Sequence, residues 1–284
     1  MKQTYFASIL GLIANIFLFI IRLIAGIMSN SIAVISDALD SLLDIISFIA
    51  MMISIKVSEK KPDASHPFGH YRAEPVAGLL VAIFAGILGF EVFINSIQRF
   101  MDKSVVVLSS VVVWILIVSL AVKIVMFFYF RYVSSKYRTP AIKAAAFDAK
   151  KDILVSSLVF LALIGSQYNM QFLDPLMGIV VSIYILMAGF NIGMENIDFL
   201  MGKAPDKEMM SEIKAVLGDM KIKQIKDYKN IKAHFVGTFV HVALKVVVGK
   251  KMTVKQGHDL SEKVRKALLK ISWIDRVFIH VDYA

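Results

Sequence analysis

Three carboxylates, Asp37, Asp40 and Asp44, lie in a stretch that is otherwise apolar, and their i, i+3, i+7 spacing puts them on one stripe of a helix. An aspartate near the centre of a membrane-spanning helix costs about 2.5–3.5 kcal/mol on insertion scales, so such residues are rare, interior-facing and functional. Further along, Asp148 and Asp152 repeat the i, i+4 spacing of Asp40 and Asp44. Two DxxxD pairs on two helices can converge as four carboxylates, a hard-oxygen set that suits Mg2+, Ca2+ or Mn2+ better than Zn2+ or Cu. The competing reading is a set of structural ion pairs with Arg22, Lys123, Lys150 or Lys151. A third cluster, Asp63, His66 and His70, sits within eight residues on a connection that Pro67 keeps from being helical, and these three groups have metal-ligand chemistry.

The elements that carry these residues follow from hydropathy. Of 284 residues, 57% are hydrophobic and only 19% charged, which is membrane-protein composition. Six apolar segments of spanning length fall at about 5–28, 32–55, 75–98, 107–130, 143–166 and 174–197. The fifth holds Asp148, Lys150, Lys151 and Asp152, and spans only if the bundle interior takes those charges. The first reads as a spanning helix, since no small-residue cleavage signal follows it.

Basic residues crowd two connections, with Lys56, Lys60, Lys61 and Arg72 in one and Arg131, Lys136, Arg138 and Lys143 in the other; the alternate ones offer Arg99 and Lys103. Both termini are therefore expected in the cytoplasm, of the plasma or inner membrane. Loop charges of this kind account for the net +10, so nucleic acid is not expected as a partner. The absence of cysteine excludes disulfides and thiolate metal sites.

After Pro205 the pattern becomes that of a small α+β unit. A helix is expected over 206–217, strands over 225–236 and 238–248, a helix over 254–271 and a strand over 277–282, in the order αββαβ. The domains expected are a six-helix transmembrane domain over 1–203 and a cytoplasmic domain over 204–284.

Asn30-Ser31, the DxxxD that follows, the run HPFGHYRAE from His66 to Glu74 and the DxxxD at Asp148 together resemble the cation diffusion facilitator family of metal transporters. The resemblance covers nearly the whole chain. It implies a transport site of Asp40, Asp44, Asp148 and Asp152, a regulatory or staging site at Asp63, His66 and His70, and a homodimer. Zinc-transporting relatives carry His at one or both leading positions of the pairs, whereas manganese-transporting relatives carry Asp, so family pattern and ligand hardness agree on Mn2+. Asp37 belongs to the family signature as a proton-relay, supporting or packing group.

The family's C-terminal domain has a ferredoxin-like, copper-chaperone-like fold with an interfacial metal site, whose spacing falls on His258, His280 and Asp282. Its remaining histidines fall on Lys229 and Lys245, which are poor ligands when protonated, and His241 is a candidate substitute. For His234 and His241 taken alone, ordinary surface positions are expected. Met201 stands where the resemblance would put an acid to pair with Arg72.

The expected function is efflux of a divalent metal in exchange for protons, with no resident cofactor and no catalysis. Zn2+, Fe2+, Co2+ and Cd2+ are the alternative cargoes. A non-transporting sensor or scaffold is the alternative of another class. An intramembrane prenyltransferase or aspartyl protease would want more helices and a DDxxD or GxGD arrangement, neither of which is present.

Overall fold

The structure, a computed structural model, describes residues 2–102, 106–137, 140–166, 168, 170–220 and 222–283. Lys103 and Arg138, which entered the expected orientation, lie outside the described residues, as do the side chains of Lys136 and Lys143. Six long helices come first: α1 (Lys2–Ser29), α2 (Ile32–Ser58), α3 (Ala73–Asp102), α4 (Ser110–Tyr137), α5 (Pro140–Ser166) and α6 (Leu173–Leu200). Among the described residues, five of them contain spans long and apolar enough to cross a membrane; α5, with its cluster of charges, does not join these five. After them come α7 (Lys207–Asp219), β1 (Ile225–Val236), β2 (Phe239–Val248), α8 (Val254–Leu268) and β3 (Ile274–Tyr283).

By its contacts the chain divides into two units, Met1–Met51 with Leu80–Gly193, and Met52–Leu79 with Met194–Ala284. In the first unit, Leu18 of α1 packs with Met126, Phe130 and Val133 of α4 and with Ala146 and Ala149 of α5. A second buried cluster draws Ala25, Val34, Leu43, Ala85, Leu116, Leu163 and Ile185 from all six helices. Small residues set the closest approach of α3 and α6: a Cβ at Gly189 would stand 2.8 Å from the Cβ of Ala85.

The first turn of α2 is capped from a distance. Asp174, at the start of α6, accepts the amides of Ile32 at 3.0 Å and Ala33 at 3.4 Å, together with the hydroxyl of Ser31. This satisfies donors that have no partner inside the helix.

In the second unit, β2 is the central strand, antiparallel to β1 and parallel to β3. Alternate residues Val240, Val242, Leu244, Val246 and Val248 of β2 are buried against Ile213 and Leu217 of α7 and Leu260, Val264 and Leu268 of α8. The i, i+4, i+8 spacing on α8 gives that helix one apolar face, and the period of two on β2 gives the sheet its own. Asp206 caps α7 through the amide of Met209, and Thr253 and Gln256 form a reciprocal capping box on α8. At the β1–β2 turn Gly237 has φ +63°, and a Cβ there would meet the carbonyl oxygen of Tyr71 at 2.1 Å, so this position requires glycine.

Candidate metal sites

Within the helical unit the acidic stripe of α2 meets two cations, one on each of two other helices. Arg22 of α1, fully buried, pairs with Asp37 at 3.1 Å and donates to Ser41 Oγ at 3.0 Å, Ser156 Oγ at 3.0 Å and Ser119 Oγ. Ser156 in turn donates to Asp37 at 2.8 Å. These contacts join α1, α2, α4 and α5, and Asp37 serves as half of a buried ion pair.

One helical turn and more along the stripe, Lys123 of α4 is 1% exposed and lies 3.3 Å from Asp44 Oδ2. The same ammonium donates to Asp152 of α5 and, at 3.2 Å, to Asn15 Oδ1 of α1. Asp44 and Asp152, expected as partners on two helices, are thus brought to one point. Asp148 is not: its side chain is 63% exposed and pairs with Lys151 at 3.3 Å. Asp40 is half-buried, with no ion pair or hydrogen bond among the described residues. Two carboxylates facing one cation from separate helices can hold a hard divalent ion by the same electrostatics, and a second pair one turn away on each helix can complete its shell.

The role of Lys123 was legible only as one of several possible ion-pair partners. Its signal is that no other charged residue occurs between Ser110 and Phe130. Asn15, Ser119, Ser156 and Asp174 were not anticipated at all.

The loop between α2 and α3 folds around Asp63. Among the described residues, Asp63, His66 and His70 are the only trio of His or acidic side chains that could hold a metal, with ligand atoms all within 4.8 Å of one another. The hydroxyl of Ser65, at 2.7 Å, and the amide of His66, at 2.7 Å, donate to Asp63 Oδ1 and hold its carboxyl down at about 2. Asp63 is therefore anionic at neutral pH, with His70 Nε2 3.4 Å from its other oxygen and His66 Nδ1 3.5 Å from Oδ1. The buried His70 Nδ1 has no hydrogen-bond partner among the described residues.

The third set is not assembled in the same way. Gly257, next to His258, packs against Val281, which lies between His280 and Asp282, so the three residues share one end of the domain. His258 and His280 are exposed, and no ligand trio within 4.8 Å includes them among the described residues. Lys245 holds Asp282 at 3.6 Å.

His241 does not substitute for Lys245. In the parallel β2–β3 register Lys245 faces His280 whereas His241 faces Arg276, four residues or about 13 Å away along the strand. Nor is His241 a surface residue: it is 4% exposed, beneath the rings of Phe68 and Phe278 and beside Asp275 at 3.3 Å. The loop itself supplies that cover, as Phe68 stacks under the Arg276 guanidinium and Arg276 donates to the carbonyl of Pro67. Strand alternation marks His241 as facing away from the apolar core, and says nothing of what lies on the far face.

Apolar helices that close over ionised groups define a membrane protein built to handle charge. Residues 8–201 match the family model for the cation efflux transmembrane domain and residues 205–284 that for the cation efflux protein cytoplasmic domain. The chain belongs to the cation diffusion facilitator family: it is a multi-pass membrane transporter of divalent metal cations with a cytoplasmic C-terminal domain, and not an enzyme.

It is similar to an uncharacterized transporter of Methanocaldococcus jannaschii, 32% identical over 283 residues and covering 99% of both chains. It is also similar to the manganese efflux system protein MneP of Bacillus subtilis, 29% identical over 97% of this chain and 94% of that one. The solved cytosolic domain of a cation diffusion facilitator family protein is 33% identical where it matches, over 26% of this chain and 88% of its own, with a TM-score of 0.25.

Proposed function

We propose that the chain exports Mn2+ in exchange for protons through a site formed by Asp40, Asp44, Asp148 and Asp152, with α5 completing a six-helix transmembrane domain over 1–203. The observation that carries this reading is the convergence of Asp44 and Asp152, from α2 and α5, on a single cation. An all-carboxylate set favours a hard divalent ion, and two similar proteins are named for manganese efflux. The ion enters from the cytoplasm, binds among the four carboxylates and leaves on the far side when the bundle re-exposes them. Carboxylates that bind metal must give up their protons, so metal and proton are exchangeable occupants and an inward proton gradient drives efflux.

Asp63, His66 and His70 form a second metal site on the cytoplasmic loop, regulatory rather than in the path of the ion. The domain over 204–284 pairs two copies into a homodimer and contributes His258, His280 and Asp282 to a weak metal site. Purified transporter in liposomes, with a metal-sensitive dye inside and an imposed pH gradient, tests the core of this reading. Mn2+ flux that depends on the gradient and disappears in Asp44→Ala and Asp152→Ala is the expected result. Undiminished flux in either variant overturns the site, and flux indifferent to the gradient overturns the coupling.

A further inference from the structure

We propose that Lys123 is a tethered counter-cation of the transport site: its ammonium sits between the carboxylates when cargo is absent, and ammonium and divalent ion exclude one another. The inference rests on Asp44 and Asp152 being cargo ligands. An ion pair that only secured packing would need one carboxylate, as Arg22 needs Asp37. Lys123 instead has two carboxylates from two helices and an amide oxygen from a third, one acceptor for each of its three N–H donors. The ammonium is therefore held at the point where charge from α2 and α5 converges, with no bond left over for any other role.

A divalent ion bound by Asp44 and Asp152 could not share them with a buried ammonium, because like charges a few ångströms apart in a poorly screened interior repel strongly. Loading then requires the ammonium to withdraw. The uncharged partner among its three acceptors is Asn15 Oδ1, at 3.2 Å on α1, which retains one hydrogen bond after both carboxylates are lost. Asn15 is thus a parking position, and Lys123 returns from it as the ion leaves. This supplies the empty transporter with a cation of its own and gives the departing metal a competitor. Removing the competitor should tighten binding and slow turnover, while removing the parking position should weaken binding.

The test is equilibrium Mn2+ binding to the full chain in lipid nanodiscs, followed by the electron paramagnetic resonance of free Mn2+. The class of sites scored is the one lost in Asp152→Asn. Lys123→Gln is expected to tighten that class by about tenfold or more, the effect of removing one nearby like charge. Lys123→Arg keeps the charge and should stay near the wild-type value, and Asn15→Ala should weaken binding several-fold.

Unchanged or weaker binding in Lys123→Gln, with the class still lost in Asp152→Asn, overturns the counter-cation and leaves the site standing. If Asp152→Asn removes no class of sites, the site reading falls and the proposal with it. Should Lys123→Gln fail to fold, Asn15→Ala decides: weaker binding supports the proposal, and unchanged or tighter binding overturns it.

Discussion

Lys245 Nζ lies 3.6 Å from Asp282 Oδ2, and in the β2–β3 register the same lysine stands beside His280. Together with the amide of Tyr283, which is the larger influence, it keeps the Asp282 carboxyl below the usual carboxylate range. A lysine ammonium thus stands where the family resemblance would put a histidine ligand.

Replacing that cation should open the C-terminal site. In the full chain, Lys245→His is expected to add a Zn2+ or Mn2+ site or tighten a weak one by about tenfold, ~1.4 kcal/mol. Calorimetric titration of wild type and variant side by side measures it. Identical isotherms would remove His258, His280 and Asp282 from consideration as ligands.

Softening one of the proposed transport ligands should move cargo preference. With Asp148→His, the ratio of Zn2+ to Mn2+ flux in competition is expected to rise about threefold to tenfold, ~0.6–1.4 kcal/mol. A ratio that does not move would show that Asp148, exposed and paired with Lys151 in this conformation, does not set selectivity.

Arg22 should matter for folding. Arg22→Ala leaves the buried Asp37 carboxyl without its cation, and breaking a buried pair in this way costs about 3–5 kcal/mol. Denaturant unfolding in detergent micelles reads the loss, and Arg22→Leu combined with Asp37→Leu should lose less than Arg22→Ala alone. A loss under ~1 kcal/mol would mean the network is dispensable.

The loop cover over the sheet should loosen in acid. Burial lowers the pKa of His241, more than its bond to Asp275 raises it, with His234 and Arg276 adding to the lowering. The folded state therefore favours the neutral ring: its stabilising effect is complete above the unfolded value near 6.5 and is lost as pH falls through the lower folded value. Protection against hydrogen exchange across residues 66–72 and 239–243, taken relative to the intrinsic amide rate at each pH, should fall between about pH 7.5 and 5 in wild type, and less so in His241→Gln. An equal fall in both would assign the effect to other groups.

Most of the architecture could be read from periodicity. Apolar runs located the long helices to within four residues except at the end of α4, which runs seven residues further, and alternation on β2 and the i, i+4 face of α8 located the core of the C-terminal domain, because each depends only on neighbours in sequence. The carboxylates were legible for the same reason, as polar residues in apolar surroundings. Their partners were not: the meeting of Lys123 with Asn15, Asp44 and Asp152 joins residues up to 108 positions apart by |i−j|. No local pattern encodes which of several lysines will be chosen. The cover of His241 by Phe68 failed to show for a related reason, since a strand displays which face is apolar but not what a distant loop lays on the other.

The distant cap on α2 sets a pivot for its carboxylates. Asp174 grips the helix at Ile32 and Ala33, so the start of α2 is pinned to the start of α6, and the Arg22 network ties the next turns at Asp37 and Ser41. Asp44 is twelve residues from Ile32, a lever of about 18 Å at 1.5 Å per residue, and Asp40 is on the same arm at about 12 Å. Pivoting α2 by ~10° about the clamp would carry Asp44 through about 3 Å and Asp40 through about 2 Å. Such an arc is comparable to the length of the Asp44–Lys123 contact, so a small rotation at the start of α2 suffices to make or break contacts at the other end of the arm.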